Sequence, residues 1–134
     1  PPGIGDEIIS ALRVAKSRGG KGFGTLVVAT PSLVARRVVR RVLSLLRDER
    51  VRVLGLVENM SYVPCPGGRV VRPFGGRGVD ELAEEFGVSV LARFPMDPRV
   101  EEAIEAGDPV HRCSKEISRA VDDLVRGVTS RMGG

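Results

Sequence analysis

The sequence lacks several features that would each assign a protein to a familiar class. Its 134 residues include no tryptophan, no glutamine, a single asparagine and only two cysteines. Two cysteines are too few for the disulfide framework of a small secreted protein. The longest apolar runs are about five residues, too short to cross a bilayer, so we expect no membrane association. No charged and then apolar leader opens the sequence, and we therefore expect a cytoplasmic protein.

Aromatic side chains are also scarce, which argues against a nucleic-acid interface as the reason for the positive charge. The net charge is +4, and 18 of the 21 basic residues are arginine. Residues 80–108 carry nine acids and two bases, so the rest of the chain is strongly basic. A nucleic-acid interface needs a basic stripe with aromatics or a known reading motif, and neither is visible; nucleic acid is not a predicted partner. Scarce amides and abundant charge are typical of a thermophile.

Apolar runs typical of buried strands alternate with amphipathic helical stretches. Helices are predicted over residues 6–17, 32–47, 80–86, 99–106 and 114–131, and strands over 25–29, 51–57 and 88–92. Unbroken apolar strands separated by helices predict an α/β fold in three layers, with a small, mainly parallel sheet covered on both faces. The length suits one domain over residues 1–134. Three strands leave the sheet edges bare, and the chain opens on Pro1 and Pro2 without a Met, so we expect that an N-terminal half is missing.

Two glycine-rich segments invite a phosphate-binding interpretation. Gly3 and Gly5 precede Asp6 and Glu7 at the start of a predicted helix, where a backbone free of side chains can approach phosphate oxygens. An ordinary turn with a capped helix explains the same residues. Residues 19–22, Gly-Gly-Lys-Gly, do not continue into Ser or Thr and a helix as a P-loop requires, so they predict a flexible loop.

Two further residues stand where ligands are often held. Asn59 follows a predicted strand, at the edge where α/β proteins bind ligands, and its amide can both donate to and accept from a purine. A simple turn asparagine is the alternative. Cys65 is half of a CxxC pair whose second position is Gly68, so it is either a metal ligand or a bystander loop thiol.

The remaining reactive side chains suggest no catalytic centre. The arginines between Arg36 and Arg47 predict a solvated helix face, and Cys113 predicts a buried core thiol. His111 has no Ser, Cys or carboxylate partner that the sequence can place. No nucleophilic triad or carboxylate pair can be argued, so no catalytic residue is predicted.

In their order along the chain, these segments resemble the C-terminal half of the Mrp/Nbp35 (ApbC-like) family. These are P-loop ATPases of the MinD/ParA (SIMIBI) type that carry or assemble iron–sulfur clusters. The resemblance rests on residues 1–7, PPGIGDE, which match the family's PPGTGDE apart from Ile4, and on residues 55–66, GLVENMSYVPCP. It extends through residues 74–110, including LAEE at 82–85, PMDP at 95–98 and AGDP at 106–109.

The resemblance implies a set of residues that contact ATP. They are Gly3, Gly5, Asp6, Asn59, Pro95 and Asp97. The first three would belong to the switch II segment, which senses the γ-phosphate. The asparagine would contact adenine, and the last two would wall the base pocket. In the intact protein the cofactors would be ATP and Mg²⁺.

The resemblance also implies that Cys65 is a metal ligand, one of two cysteines in each protomer of a homodimer that shares a [4Fe–4S] cluster. Gly68 occupies the second cysteine's position, so a dimer would supply two of four ligands, and a bound cluster is doubtful. The Walker A and Walker B motifs of the family do not occur in this sequence. Without them phosphoryl transfer has neither charge neutralisation nor a placed metal, so this chain alone is not expected to hydrolyse ATP.

The sequence therefore favours the C-terminal part of an Mrp-like ATP-binding protein. Its expected partners are a client or scaffold for iron–sulfur clusters, and the missing half or a separate P-loop subunit. The alternative is a stand-alone, non-enzymatic module derived from the family, which would dimerise or dock through its bare sheet edge.

Overall fold

The computed structural model describes residues 5–133. In chain order, the helices and strands are α1 (Asp6–Gly19), β1 (Thr25–Ala29), α2 (Leu33–Asp48), β2 (Val53–Glu58), β3 (Val63–Pro64), β4 (Val70–Val71), α3 (Asp80–Phe86), β5 (Val90–Arg93), α4 (Pro98–Ala106) and α5 (Lys115–Met132). Strands β1, β2 and β5 form a parallel sheet in the order β1–β2–β5. The predicted α/β class and its parallel sheet are confirmed.

The helix boundaries follow signals that are visible in the sequence. Ser32 precedes α2, and its hydroxyl accepts a hydrogen bond from the Ala35 amide at 3.2 Å. Helices α3 and α4 end at Gly87 and Gly107, which both adopt the left-handed conformation that glycine tolerates best.

Two strands start later than predicted because their first residues close the preceding helix. The Val51 amide donates to the Leu46 carbonyl at 2.8 Å, so this residue ends the turn after α2 rather than starting β2. The Val88 amide donates to the Ala83 carbonyl at 3.0 Å in the same way, and β5 begins at Val90. An apolar residue at these positions predicts burial, but a buried residue fits the end of a helix as well as the start of a strand.

The irregular stretch after residue 61 contains a short hairpin that the sequence does not predict. Strand β3 pairs antiparallel with β4, with Val63 opposite Val71. Cys65 stands at the start of the connecting turn, and its amide donates to the Arg69 carbonyl at 2.8 Å. The proline and glycines of this turn interrupt the apolar residues on either side of it, so the sequence does not show a strand pattern here.

The core lies on the face of the sheet that α2 and α3 cover. Its buried members are Val27, Ala29, Val39, Leu43, Leu46, Val51, Leu56, Val79 and Leu82. On the opposite face α5 packs against β5 and β2, with Ile117 and Ala120 buried. The prediction of a sheet covered on both faces is wrong for β1, because Val28 points to the second face and is 60% exposed.

Helix α1 is attached to this body mainly at its polar surface. None of its residues is fully buried, although Leu12 packs against the core. Arg13 forms an ion pair with Glu49 at 3.1 Å, just beyond the end of α2. Within the described part of the chain, no helix has the length and apolar character that crossing a membrane requires.

Candidate functional site: a cleft at the carboxyl ends of the strands

A cleft of about 900 Å³ opens where β2 and β5 end. Most of its wall is apolar, and the side chains that line it come from both strand ends, from α4 and from α5. The lining residues are Asn59, Met60, Val63, Phe94, Pro95, Met96, Asp97, Pro98, Val100, Glu101, Val110, His111, Ile117 and Val121. An apolar concavity with a few polar groups at this edge of a parallel sheet is the usual form of a ligand site in α/β folds.

The three residues assigned to the base pocket, Asn59, Pro95 and Asp97, lie together in this cleft. Gly5 and Asp6 do not line it; Gly5 is the residue before α1, and its carbonyl accepts from the Ile8 amide at 3.1 Å. Gly3 lies outside the described residues. The structure therefore brings together the candidates for base contact, and it places Gly5 and Asp6 outside this cleft.

Asn59 is held in a tight turn that leaves one end of its amide available. Its backbone amide donates to the Ala29 carbonyl at 2.8 Å, which ties the turn to β1. Its side-chain Oδ1 accepts from the Met60 amide at 2.9 Å, and Met60 adopts a left-handed conformation with φ 55°. Because a backbone N–H can only donate, the acceptor must be Oδ1, and Nδ2 is the group that remains to donate. The site therefore presents a hydrogen-bond donor at this end.

Asp97 lines the cleft, but its carboxylate is already engaged within the protein. It accepts from the Arg99 amide at 3.0 Å as the cap of α4, and from the Arg99 guanidinium at 2.9 Å. The side chain is 2% exposed. The hydrogen bond from Arg99 holds the pKa of Asp97 below its ordinary value, although burial acts in the opposite direction. Asp97 therefore contributes to the wall by holding the first turn of α4 in place, and its carboxyl group is ionised at neutral pH.

Glu58 is the residue that sequence reasoning missed. It ends β2 and is 1% exposed, with its carboxylate accepting from Ser61 Oγ at 2.5 Å, from the Val79 amide at 2.9 Å and from Arg93 Nη1 at 2.7 Å. Arg93 also donates to Asp80 Oδ1 at 2.5 Å. A charged residue at the end of a buried strand was the available signal, since a buried carboxylate requires partners.

His111 and Glu101 are the other ionisable side chains in the wall of the cleft. No partner for His111 can be placed from the sequence, and in the structure this residue lies in a short 3₁₀ turn, Val110–Arg112, just before α5. Both residues are exposed and could reach a bound molecule at the rim.

Cys65 is half-buried in the turn between β3 and β4, and its thiol donates to the Val63 carbonyl at 3.7 Å. Gly68, in the position of a second cysteine, has φ 76°. Over residues 5–133 there is no group of three His, Cys, Asp or Glu side chains that could hold a metal ion. Cys113 is also half-buried, which corrects the expectation of a buried core thiol. One chain thus presents a single thiol in this turn.

The basic face of α2 is not simply solvated, as the sequence suggested. Arg36 pairs with Glu81 at 3.2 Å and Arg40 pairs with Glu85 at 2.9 Å, both across to α3. The Arg36 side chain is only 20% exposed. Part of this arginine face therefore joins two helices of the same chain.

Comparison with known proteins places this geometry in the class of P-loop NTPases. The family model described as ParA, NUBPL iron-transfer P-loop NTPase, matches residues 1–129. The chain belongs to this family, and the resemblance to Mrp/Nbp35 proteins is confirmed.

Named relatives agree with this assignment. An iron-sulfur cluster carrier protein of Saccharolobus solfataricus is 36% identical over 137 residues, covering 97% of this chain and 45% of the relative. The cytosolic Fe-S cluster assembly factor cfd1 of Neurospora crassa is 40% identical over 110 residues, covering 80% of this chain and 36% of that protein. A solved nucleotide-binding protein from Archaeoglobus fulgidus, in complex with ADP, matches with TM-score 0.59 and 27% identity, over 75% of this chain and 41% of that one. The chain spans less than half the length of these proteins.

Proposed function

We propose that this chain forms the base-binding part of an ATP-binding protein that carries or assembles iron–sulfur clusters. The observation that carries the proposal is the convergence of Asn59, Pro95 and Asp97 on one largely apolar cleft. The ADP bound to the Archaeoglobus relative, whose fold this chain shares, supports a nucleotide as the occupant.

The cleft suits a flat heteroaromatic base with a hydrogen-bond acceptor on its edge. Pro95 and the surrounding apolar wall would contact the ring faces, where burial of apolar area favours binding. Asn59 would donate from Nδ2 to a ring nitrogen of adenine, since its Oδ1 already accepts from Met60. Asp97 would act by fixing the first turn of α4 and the loop before it.

The phosphates and Mg²⁺ would be held by a part of the protein beyond this sequence, together with Gly3, Gly5 and Asp6. The greater length of the relatives supports this division. Hydrolysis depends on a P-loop lysine and on ligands for Mg²⁺, and the Walker motifs that supply them do not occur in this sequence. We therefore propose that base recognition and phosphoryl transfer are divided between two portions of one ATPase domain.

Cys65 would be this chain's contribution to an iron–sulfur cargo. In a homodimer two such thiolates would come from the two protomers, and Gly68 leaves the remaining ligands to a client or scaffold protein. The cytosolic name of the Neurospora relative supports a cytoplasmic location.

The test is a calorimetric titration of this chain with ADP. We expect weak, saturable binding, because most phosphate contacts are missing, and we expect Asn59→Ala to weaken it about tenfold, the value of one hydrogen bond to a ligand. Ser89→Ala is the matched control, since Ser89 is exposed and lies just before β5, at the amino ends of the strands and away from the cleft. Undetectable binding at millimolar ADP, or equal affinity in Asn59→Ala, would refute the proposal.

A second candidate function is a non-enzymatic docking module. Two features of β1 favour it: this strand pairs with β2 on one side only in the described sheet, and Val28 on its uncovered face is 60% exposed. The occupant would be a P-loop subunit or the remainder of the ATPase domain, adding strands to this edge. If it is instead a second copy, sedimentation will give a dimer that Val28→Lys dissociates. Val125→Lys, at a similarly exposed position on α5, is the control.

A further inference from the structure

One buried carboxylate anchors both ends of the segment that carries Cys65. At the start of this segment, residues 62–78, the preceding Ser61 donates its hydroxyl to Glu58 Oε2 at 2.5 Å. At its end, the following Val79 donates its amide to Glu58 Oε1 at 2.9 Å. Ser61 is 2% exposed and Val79 is fully buried, so water does not compete for either bond. The two oxygens of a single side chain thus close the base of the segment.

The anchor is braced by β5. Arg93 donates from Nη1 to Glu58 Oε2 at 2.7 Å and from Nη2 to Asp80 Oδ1 at 2.5 Å. A buried carboxylate is tolerated only when it is paired and hydrogen-bonded, and Arg93 supplies the opposite charge. Because Asp80 directly follows Val79, the second bond of Arg93 holds the same end of the segment.

The packing around Glu58 leaves no space for a side chain at position 78. Gly78 has φ 61°, and a Cβ at this position would lie 2.0 Å from Glu58 Oε1. Both the backbone conformation and the close approach require glycine.

The same carboxylate closes the turn that presents Asn59. Glu58 and Ser61 flank Asn59 and Met60, so their side-chain hydrogen bond spans the turn. The backbone continues the connection to β5, with the Phe94 amide donating to the Glu58 carbonyl and the Ser61 amide donating to the Phe94 carbonyl, each at 2.8 Å. The cleft and the cysteine segment therefore share one anchoring residue.

We propose that Glu58 is a positioning residue that fixes the Cys65 segment to the Asn59 turn. It touches neither a cluster nor a nucleotide in this role. Its effect is to hold the thiol at a defined place relative to the cleft, so that losing the carboxylate releases residues 62–78 while the sheet and α5 remain folded.

The test is hydrogen exchange combined with thiol alkylation of the chain, and it requires no nucleotide, so it does not depend on the proposed function. In Glu58→Gln we expect amides in residues 62–78 to exchange about tenfold faster or more, which corresponds to about 1.4 kcal/mol. Amides in β1 and α5 should change little. Alkylation of Cys65 by iodoacetamide should accelerate similarly, with Cys113 in the same molecule as the internal reference. Glu85→Gln, which removes an exposed ion pair with Arg40, is the matched control.

Two outcomes would overturn the proposal. One is a uniform rise in exchange along the chain, which would make Glu58 a general stabiliser. The other is a Cys65 rate no different from that of Glu85→Gln. If Glu58→Gln does not fold, Ser61→Ala decides the matter, because it removes one anchor and keeps the pair with Arg93. Faster exchange near residue 62 in that variant supports the proposal, and an unchanged rate refutes it.

Discussion

The carboxylate of Asp97 makes two separable contributions, as the cap of α4 and as the partner of Arg99. Asp97→Ala removes both, and the lost cap alone costs about 0.5–2 kcal/mol. Asp97→Asn keeps a capping oxygen of comparable quality and removes only the charge. We therefore expect Asp97→Ala to reduce the free energy of unfolding more than Asp97→Asn does in urea titrations at pH 7.

The pH dependence of the same variants isolates the charge. The pKa of Asp97 lies below its ordinary value of 3.8, principally because of the hydrogen bond from Arg99. A carboxyl group with a lowered pKa stabilises the fold above its unfolded pKa, and that stabilisation is lost as the pH falls through the folded pKa. The stability difference between wild type and Asp97→Asn should therefore shrink in urea titrations below pH 3.8.

Asp123→Asn, in an exposed pair with Arg126, is the control for this experiment and should change stability little. The reasoning fails if Asp97→Asn and Asp97→Ala are equally destabilised at pH 7. It also fails if the stability difference between wild type and Asp97→Asn is the same at pH 7 as below pH 3.8. A fall in ADP affinity in Asp97→Asn with unchanged stability would show that the carboxylate contacts the ligand rather than the helix.

Two glycine substitutions test the surroundings of the site. Gly78→Ala should lower the free energy of unfolding in urea by about 1–3 kcal/mol more than Gly75→Ala does. Both residues have a left-handed φ, but only Gly78 faces Glu58 Oε1. Equal losses in the two variants would contradict the close packing. Gly68→Cys should raise the iron and sulfide retained per chain after anaerobic reconstitution, because it adds a second thiol near Cys65 at a position with open space. It should also lower stability by about 1–2 kcal/mol through its left-handed backbone, and iron content equal to wild type would refute a role for this position.

The parts of the fold that the sequence predicted are those with local signals. Ser32 before an amphipathic run and Gly87 after one mark helix ends by the backbone conformation that they favour. The strand starts at residues 51 and 88 were misplaced because their partners are the carbonyls of the preceding helix, which a pattern of apolar residues does not reveal.

The same distinction, between local signals and contacts with distant residues, applies to the candidate site. The place of Asn59 in the cleft could be predicted because the residue directly follows an apolar strand, a signal that a few residues of sequence contain. Its contact with a base stays a prediction. Glu58 was missed because two of its three partners, Val79 and Arg93, lie 21 and 35 positions away. A charged residue at the end of an apolar strand indicates that partners are needed, but it does not indicate that Val79 and Arg93 supply them, so the role of Glu58 depends on tertiary structure.

The uneven charge of the chain has an explanation within the fold. The acidic residues 80–108 include α3, and the basic α2 lies beside it, so Arg36 and Arg40 meet Glu81 and Glu85. Arg47 also stands over the Phe86 ring, 5.5 Å from its centre, at the far end of α3. A sequence pI of about 9.7 invites a search for a polyanionic partner. Here opposite charges meet where two helices lie side by side over one face of the sheet, so this part of the basic surface is paired within the chain.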